Sequence, residues 1–418
     1  MNCQLASESI FYQNALYRFI HDAAGTFVPC SFSHVIAGLA IMLMLVNSVL
    51  LGAALVTWLE RRLLGRLHNR IGPNRWGPFG LLQPIADLGK LITKEDLVPS
   101  GADRIIFTAV PLVMMVPLVL MTAVIPFAQD TMLADLNVGV LFILAVSSAT
   151  TIGIFMAGWS SNNRYALFGA ARSVAVLISY EVPVVISLLG VVMISGSMSL
   201  NDIVHAQSIP FLLVQPIALF VFVTGMSAEL NRTPFDIAEA ESEIIAGIAE
   251  AESEIISGYH TEYSGIKFAL IFATETGAML VVSAVITTLF LGGWNGPLEN
   301  FLGWFWFLLK TLAIIFVFIW VRATYPRLRL DQIMALSWKF LLPLSLINLA
   351  ITAVEVFLLR DSSGHLSLGD LWIMAAINIP TAILLILLMG GLLQKKVNSL
   401  PVRTETPMVP GVPTIEVK

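Results

Sequence analysis

The stretch HVIAGLAIMLMLVNSVLLGAALVT, residues 34–57, contains no Asp, Glu, Lys or Arg, and it runs directly into WLERRLLGR at 58–66. A helix needs about 20 apolar residues to cross the hydrocarbon core of a bilayer. Lipid tolerates only backbone that satisfies its own hydrogen bonds, so this run is predicted to be a spanning helix that ends at a charged surface. Comparable runs recur at 105–126, 138–158, 173–196, 210–228, 265–291, 303–321, 340–358 and 370–393, which predicts an all-α integral membrane protein with a bundle of about nine transmembrane helices. Composition agrees. Of 418 residues 57% are hydrophobic and 12% charged, about half the charged share of a soluble domain. A net charge of −5 argues against nucleic acid as a partner.

Sidedness follows from Lys and Arg, which accumulate on the cytoplasmic side. With the N-terminus outside, the inner segments are 58–104, 159–172, 229–264, 322–339 and 394–418, and they hold nineteen of the 23 basic residues. Only Arg18 and Arg360 fall outside, while Lys267 and Lys310 fall within spans. The expected layout is therefore an N-terminal periplasmic-side segment at 1–33, a bundle at 34–393 and a cytoplasmic tail at 394–418. The first run begins too late and is too long for a cleaved signal peptide. The end of the tail, with four prolines after 399, has no apolar periodicity and is expected to be disordered. Trp58, Trp159, Trp304, Trp320, Trp338 and Trp372 sit near span ends, where amphipathic rings favour the interface. Within 58–104, Leu81, Ile85, Leu88 and Ile92 share helical spacing while Asp87, Lys90 and Lys94 take other faces. That pattern predicts an amphipathic interfacial helix rather than a tenth span. The two cysteines, Cys3 and Cys30, form no metal or cluster motif and leave open either a disulfide or two free thiols.

Four charges sit where they are expensive: Glu181 in the fourth span, Glu229 at the end of the fifth, Glu275 in the sixth and Lys310 in the seventh. Each costs on the order of 3 kcal/mol at the bilayer centre. They either lock helices together as paired or neutral groups, or they line a proton relay, because burial moves a carboxyl toward protonation near neutral pH. Pro183 removes a helix hydrogen bond beside Glu181 and frees the carbonyl of Ser179, a place for a water. Segment 229–262 carries nine carboxylates: Glu229, Asp236, Glu239, Glu241, Glu243, Glu250, Glu252, Glu254 and Glu262, opposed nearby only by Arg232. Against them stand Arg61, Arg62, Arg66, Arg70 and Arg75 in the first inner segment, so the inner surface carries either opposed fields or a plain solvated charged face. Residues 237–247 recur as 248–258 with one change, Ala246 against Ser257. Eleven residues are close to three helical turns and would lengthen a helix by about 16 Å. Such a copy reads as a tandem duplication with half of its acids redundant.

The motifs WLERR at 58–62, RIGPNRWGPFGLLQP at 70–84, SSNNRY at 160–165, SYEVP at 179–183, NRTPFD at 231–236 and YHTEYSG at 259–265 resemble the H subunit family of proton-pumping NADH–quinone oxidoreductase, respiratory complex I. They follow family order over about residues 40–345. The resemblance implies a chain with no redox centre of its own, beside hydrophilic-arm subunits that carry FMN and Fe–S clusters and adjacent small membrane subunits. Quinone would be the substrate, entering from the bilayer of a bacterial inner membrane. Carried over residue by residue, Glu60, Arg61, Arg70 and Asp87, with Phe235 and Asp236, would border the quinone chamber, and the helix near 80–93 its lipid side. Glu229, Asp236, Glu239, Glu241, Glu243 and Glu262 match an acidic funnel, with Glu250, Glu252 and Glu254 as its second copy. Glu181 and Glu275 match carboxylates leading toward the pump modules. One departure concerns Thr276, which stands where many relatives place tyrosine and alters the hydrogen bonding expected at Glu275. The alternatives are the corresponding subunit of a membrane-bound hydrogenase and a stand-alone secondary transporter. The RIGPNR and YHTEY matches disfavour the first, and the lack of an inverted repeat of spans disfavours the second.

Overall fold

The computed structural model describes residues 17, 18, 20–22, 30–129, 131–236, 258–359 and 367–398, and every regular element among them is helical. Glu239, Glu241, Glu243, Glu250, Glu252 and Glu254 lie outside the described residues, as do Cys3 and the tail from 399 onward. Helix α1, Cys30–Leu67, contains the first apolar run. Its 38 residues rise about 57 Å, well beyond a bilayer core, so its last turns lift Glu60, Arg61 and Arg62 clear of the hydrocarbon. The loop after α1 leads to the amphipathic helix α2, Gln83–Thr93, whose Ile85, Leu88 and Ile92 are exposed along one side.

The bundle continues with α3 (Arg104–Val124), α4 (Gly139–Ser160) and α5 (Arg164–Ser195). Helix α5 starts nine residues before the apolar run because Asn163 caps it, its side-chain oxygen accepting from Tyr165 N–H at 2.9 Å. After α6 (Leu200–Ala206) the fifth run is broken into α7 (Phe211–Val214) and α8 (Pro216–Glu229). Then follow α9 (Gly265–Phe290), α10 (Glu299–Thr324), α11 (Leu330–Leu336), a π turn at Ser337–Leu341, α12 (Leu342–Leu359) and α13 (Leu368–Asn398). Among the described residues eight helices are long and apolar enough to cross a membrane, with α11, the π turn and α12 forming one of them. The chain is thus an all-α, multi-pass membrane protein; the broken pair α7–α8, in the fifth apolar run, is not among the eight.

The break has a plain cause. Pro216 has no N–H and pushes Gln215 out of the helical region, to φ −130° and ψ 59°. The 14 residues of α8 rise about 21 Å, less than the core requires. Backbone opened within lipid needs partners. Asn378 Nδ2 donates to the Val214 carbonyl at 2.9 Å, and the Gln215 amide pairs with Asn348 and Thr352 at 2.9 and 2.7 Å.

The structure gives two of the span features a packing role. The Lys310 ammonium donates to the carbonyls of Leu291, Gly293 and Asn295 at 2.8, 3.0 and 2.7 Å. It satisfies carbonyls of the turn that follows α9. The Ser179 carbonyl opposite Pro183 accepts from the Ser337 hydroxyl at 2.5 Å, which ties α5 to the π turn.

A charged chamber at the inner mouth

Two glycines fold the first inner loop back onto its own helix. A Cβ on Gly65 would lie 2.9 Å from the Gly72 nitrogen, so only glycine lets the chain double back this closely. The return sets Arg70, Ile71 and Pro73 opposite Glu60, Arg61 and Leu64. Helix α9 adds Phe268, Phe272 and Glu275, spaced four and three residues apart and therefore on one face. Helix α10 contributes Arg322, and the turn after α8 contributes Asn231 and Arg232. Together they enclose a cavity of about 500 Å³, with basic and acidic groups toward the loop and aromatic rings on α9.

Glu60 is the centre of its charge. Buried at 5% exposure, it accepts hydrogen bonds from both Arg232 and Arg322, which lie far from it in the chain. Arg61 donates to Asp87 at 2.5 Å, joining α1 to α2. Asp87 does not line the cavity, and neither do Phe235 and Asp236. Phe235 packs edge-on against Tyr180 with ring centroids 5.2 Å apart, and Asp236 accepts from Arg327 at 3.0 Å. Glu262 accepts from Asn163 at 2.8 Å and faces a separate open depression of about 380 Å³ near Ser161 and Arg164. Beside it, burial pushes the Tyr263 phenol up to about 12, so the group stays protonated, and its ring stacks on Phe107 at 4.1 Å.

The chamber wall leads inward through Glu275. The turn Gly258–His260 presses against α5 at Gly169, where a Cβ would lie 2.7 Å from the Gly258 Cα. That seat aims two side chains at Glu275: the Tyr259 hydroxyl donates to it, and His260 Nε2–H donates at 3.1 Å. Thr276 plays no part, since its hydroxyl returns to the Phe272 carbonyl at 3.0 Å. The donor expected from the neighbouring position comes instead from Tyr259. Glu275 also lines a second, narrower cavity of about 70 Å³, together with Ser147, Thr150, Thr274 and Glu229. That volume holds a few waters, given enough polar partners. Glu229 in turn feels the charge of Glu181, and the hydroxyls of Ser147 and Ser148 lie against Glu229 and Glu181 respectively. The structure thus brings Glu60, Arg61, Arg70 and Glu275 to one chamber, joins Glu275 to Glu229 across the second cavity, and sets Glu181 within electrostatic reach of Glu229. Sequence reading alone gave no role to Arg322, Phe268 or Phe272. Only the α9 spacing of the two rings and Glu275 carried a signal.

A helical bundle of this kind, with a charged chamber at one mouth and carboxylates among its spans, defines a multi-pass membrane protein. The pattern of the NADH dehydrogenase family matches residues 39–249 and 248–353, and the chain belongs to that family. The two matched pieces meet where the first copy of the eleven-residue repeat ends and the second begins. The H subunit of the NADH-quinone oxidoreductase of Dehalococcoides mccartyi is 56% identical over 331 residues, covering 79% of this chain and 90% of that protein. The second of the numbered H subunits of the Geobacter sulfurreducens NADH-quinone oxidoreductase is 50% identical, covering 73% of this chain and 92% of its own length. The H subunit of the Geobacillus kaustophilus enzyme is 48% identical, covering 71% and 86%.

Proposed function

We propose that this chain closes the membrane side of the quinone chamber in an NADH–quinone oxidoreductase of the complex I type, and that its buried acids pass the consequence of quinone reduction into the membrane. The observation that carries this reading is Glu275, which borders both the 500 Å³ chamber and the 70 Å³ inner cavity. A chamber of that volume falls within the usual range for a small-molecule site. Arg61 and Arg70 supply donors to a polar headgroup, and Phe268 and Phe272 supply apolar surface for a ring. The exposed apolar face of α2 would rest in the bilayer interface beside the mouth, where a lipid-soluble substrate arrives.

In this reading the hydrophilic-arm subunits hold FMN and the Fe–S clusters and deliver the electrons, while this chain supplies no redox group. Reduction changes the charge in the chamber. Glu275 responds first, because its hydrogen bonds to Tyr259 and His260 depend on its protonation; Glu229 follows across the inner cavity, and Glu181 through the charge of Glu229. One pKa unit is about 1.4 kcal/mol, so a few units of change along these acids suffice for a coupling signal. The setting is a bacterial inner membrane, with the chamber on the cytoplasmic side that the Lys and Arg distribution marks. Glu275→Gln in the assembled complex is expected to lower quinone reductase activity about tenfold, as loss of a coupling interaction would. NADH oxidation by an artificial acceptor served by the hydrophilic arm should stay unchanged. Full quinone reduction and pumping in that variant would remove Glu275, and this reading with it.

A further inference from the structure

The break in the fifth apolar run is surrounded by polar side chains that the chamber does not use. Asn348, Thr352 and Glu355, four and three residues apart, put one polar stripe of α12 against it. All three are buried, Glu355 at 6% exposure. From α13, Asn378, at 1% exposure, donates through Nδ2 to both the Val214 carbonyl and Glu355 Oε2, at 2.9 and 2.8 Å. Both amide hydrogens are then used. What remains is an imbalance: Glu355 Oε1 and Asn378 Oδ1 are both buried acceptors, and neither has a hydrogen-bond partner among the described residues.

A bare buried carboxylate oxygen is costly, and no cation among the described residues lies near enough to balance it. Helix α12 packs on α5, α8, the π turn and α13. Past Glu181, α5 has no ionisable residue, and α7–α8 has none before Glu229. Lys339 sits in the π turn at the opposite, inner end of the α11–α12 crossing. In α13 before its last turns the only ionisable residue is Asp370, eight residues from Asn378 and held by the Ser367 N–H and hydroxyl at 2.9 and 2.7 Å. A metal ion does not fit either. Hard cations gather about six oxygens, whereas Oε2 and the Val214 carbonyl already accept from Asn378. The missing group is a single donor placed between two acceptors.

We propose that Glu355 and Asn378 form a proton-binding site in the outer half of the bundle, in which the proton is carried on Glu355 Oε1 and donated to Asn378 Oδ1, directly or through one water. Glu355 stands one turn from the outer end of α12 at Leu359. Deprotonation sends the proton to outer water and leaves a carboxylate held by Asn378 Nδ2, and reprotonation reverses this. The site lies on different helices from Glu275, and it stands or falls separately from the quinone chamber.

Infrared difference spectra of the intact complex in lipid, stepped from acidic to alkaline pH in H₂O and D₂O, test it without reference to quinone activity. The unaltered complex should lose a carboxylic-acid C=O band as pH rises, and that band should shift in D₂O. Glu355→Gln, whose amide can donate to Asn378 as the acid does, should assemble and lack this component. Asn378→Ala should move both the band and its pH midpoint, which keeps the test decisive if Glu355→Gln fails to assemble. Spectra of Glu355→Gln that coincide with those of the unaltered complex overturn the proposal. So does a band that ignores pH, or one that Asn378→Ala leaves in place.

Discussion

At the inner mouth Glu60 faces two guanidinium groups, Asp236 faces Arg327 at 3.0 Å, Asp87 faces Arg61 at 2.5 Å and Asp96 faces Lys267 at 3.0 Å. Deeper in the bundle Glu181 and Glu229 have hydroxyls for company and Glu355 an amide, while Glu275 stands between the two settings, touched by a phenol and an imidazole but within reach of the Arg232 charge across the chamber. The difference separates two uses of the same functional group. An acid opposite a permanent cation has its charge fixed, because removing it strands the partner. An acid opposite a neutral donor exchanges its proton with less penalty, since the neighbours reorient rather than lose an ion pair. On the proposed reading, the mouth serves shape and charge and the interior acids respond.

The contrast is most exposed to test at Glu60. Glu60→Ala leaves the buried Arg232 and the half-buried Arg322 together without their acid, and breaking a fully buried pair costs about 3–5 kcal/mol, an upper bound here. The expected result is a lowered thermal midpoint of the complex or loss of this chain from it; unchanged assembly would place Glu60 with the responsive acids. Glu181→Gln strands no cation, so the complex should assemble normally while quinone reduction and proton pumping fall about fivefold. Unchanged values of both would move Glu181 to the structural group. The smallest effect is expected from deleting 248–258. One copy of the acids remains in the segment, so assembly and activity should stay close to normal, and a dead but assembled complex would show that the added length is needed.

The spans were legible because hydropathy and length suffice where lipid is the solvent, and the chamber loop was legible through its motif. Other features were hidden for physical reasons. Arg322 meets Glu60 across 262 positions of sequence, and no local pattern encodes a pairing that only bundle closure creates. Run 210–228 reads as one continuous apolar helix, because hydropathy is blind to the break that the Gln215–Pro216 pair makes in it. Glu355 sits within a span as Glu181 and Glu275 do, but no matching motif surrounds it. The stripe it forms with Asn348 and Thr352 was the available signal. For Lys310 hydropathy marks a conspicuous charge but not its three carbonyl partners, which only the turn after α9 supplies. Phe235 and Asp236 belong to a matching motif, but a motif fixes neighbours in sequence and not the cavity they face.

The seat of Gly258 against Gly169 reaches further than the turn it holds. It clamps the downstream end of the acidic segment, as the Asp236–Arg327 pair clamps the upstream end at 3.0 Å. The eleven-residue repeat falls between these two fixed points, so on the proposed reading the length of the segment is uncoupled from the hold of Tyr259 and His260 on Glu275.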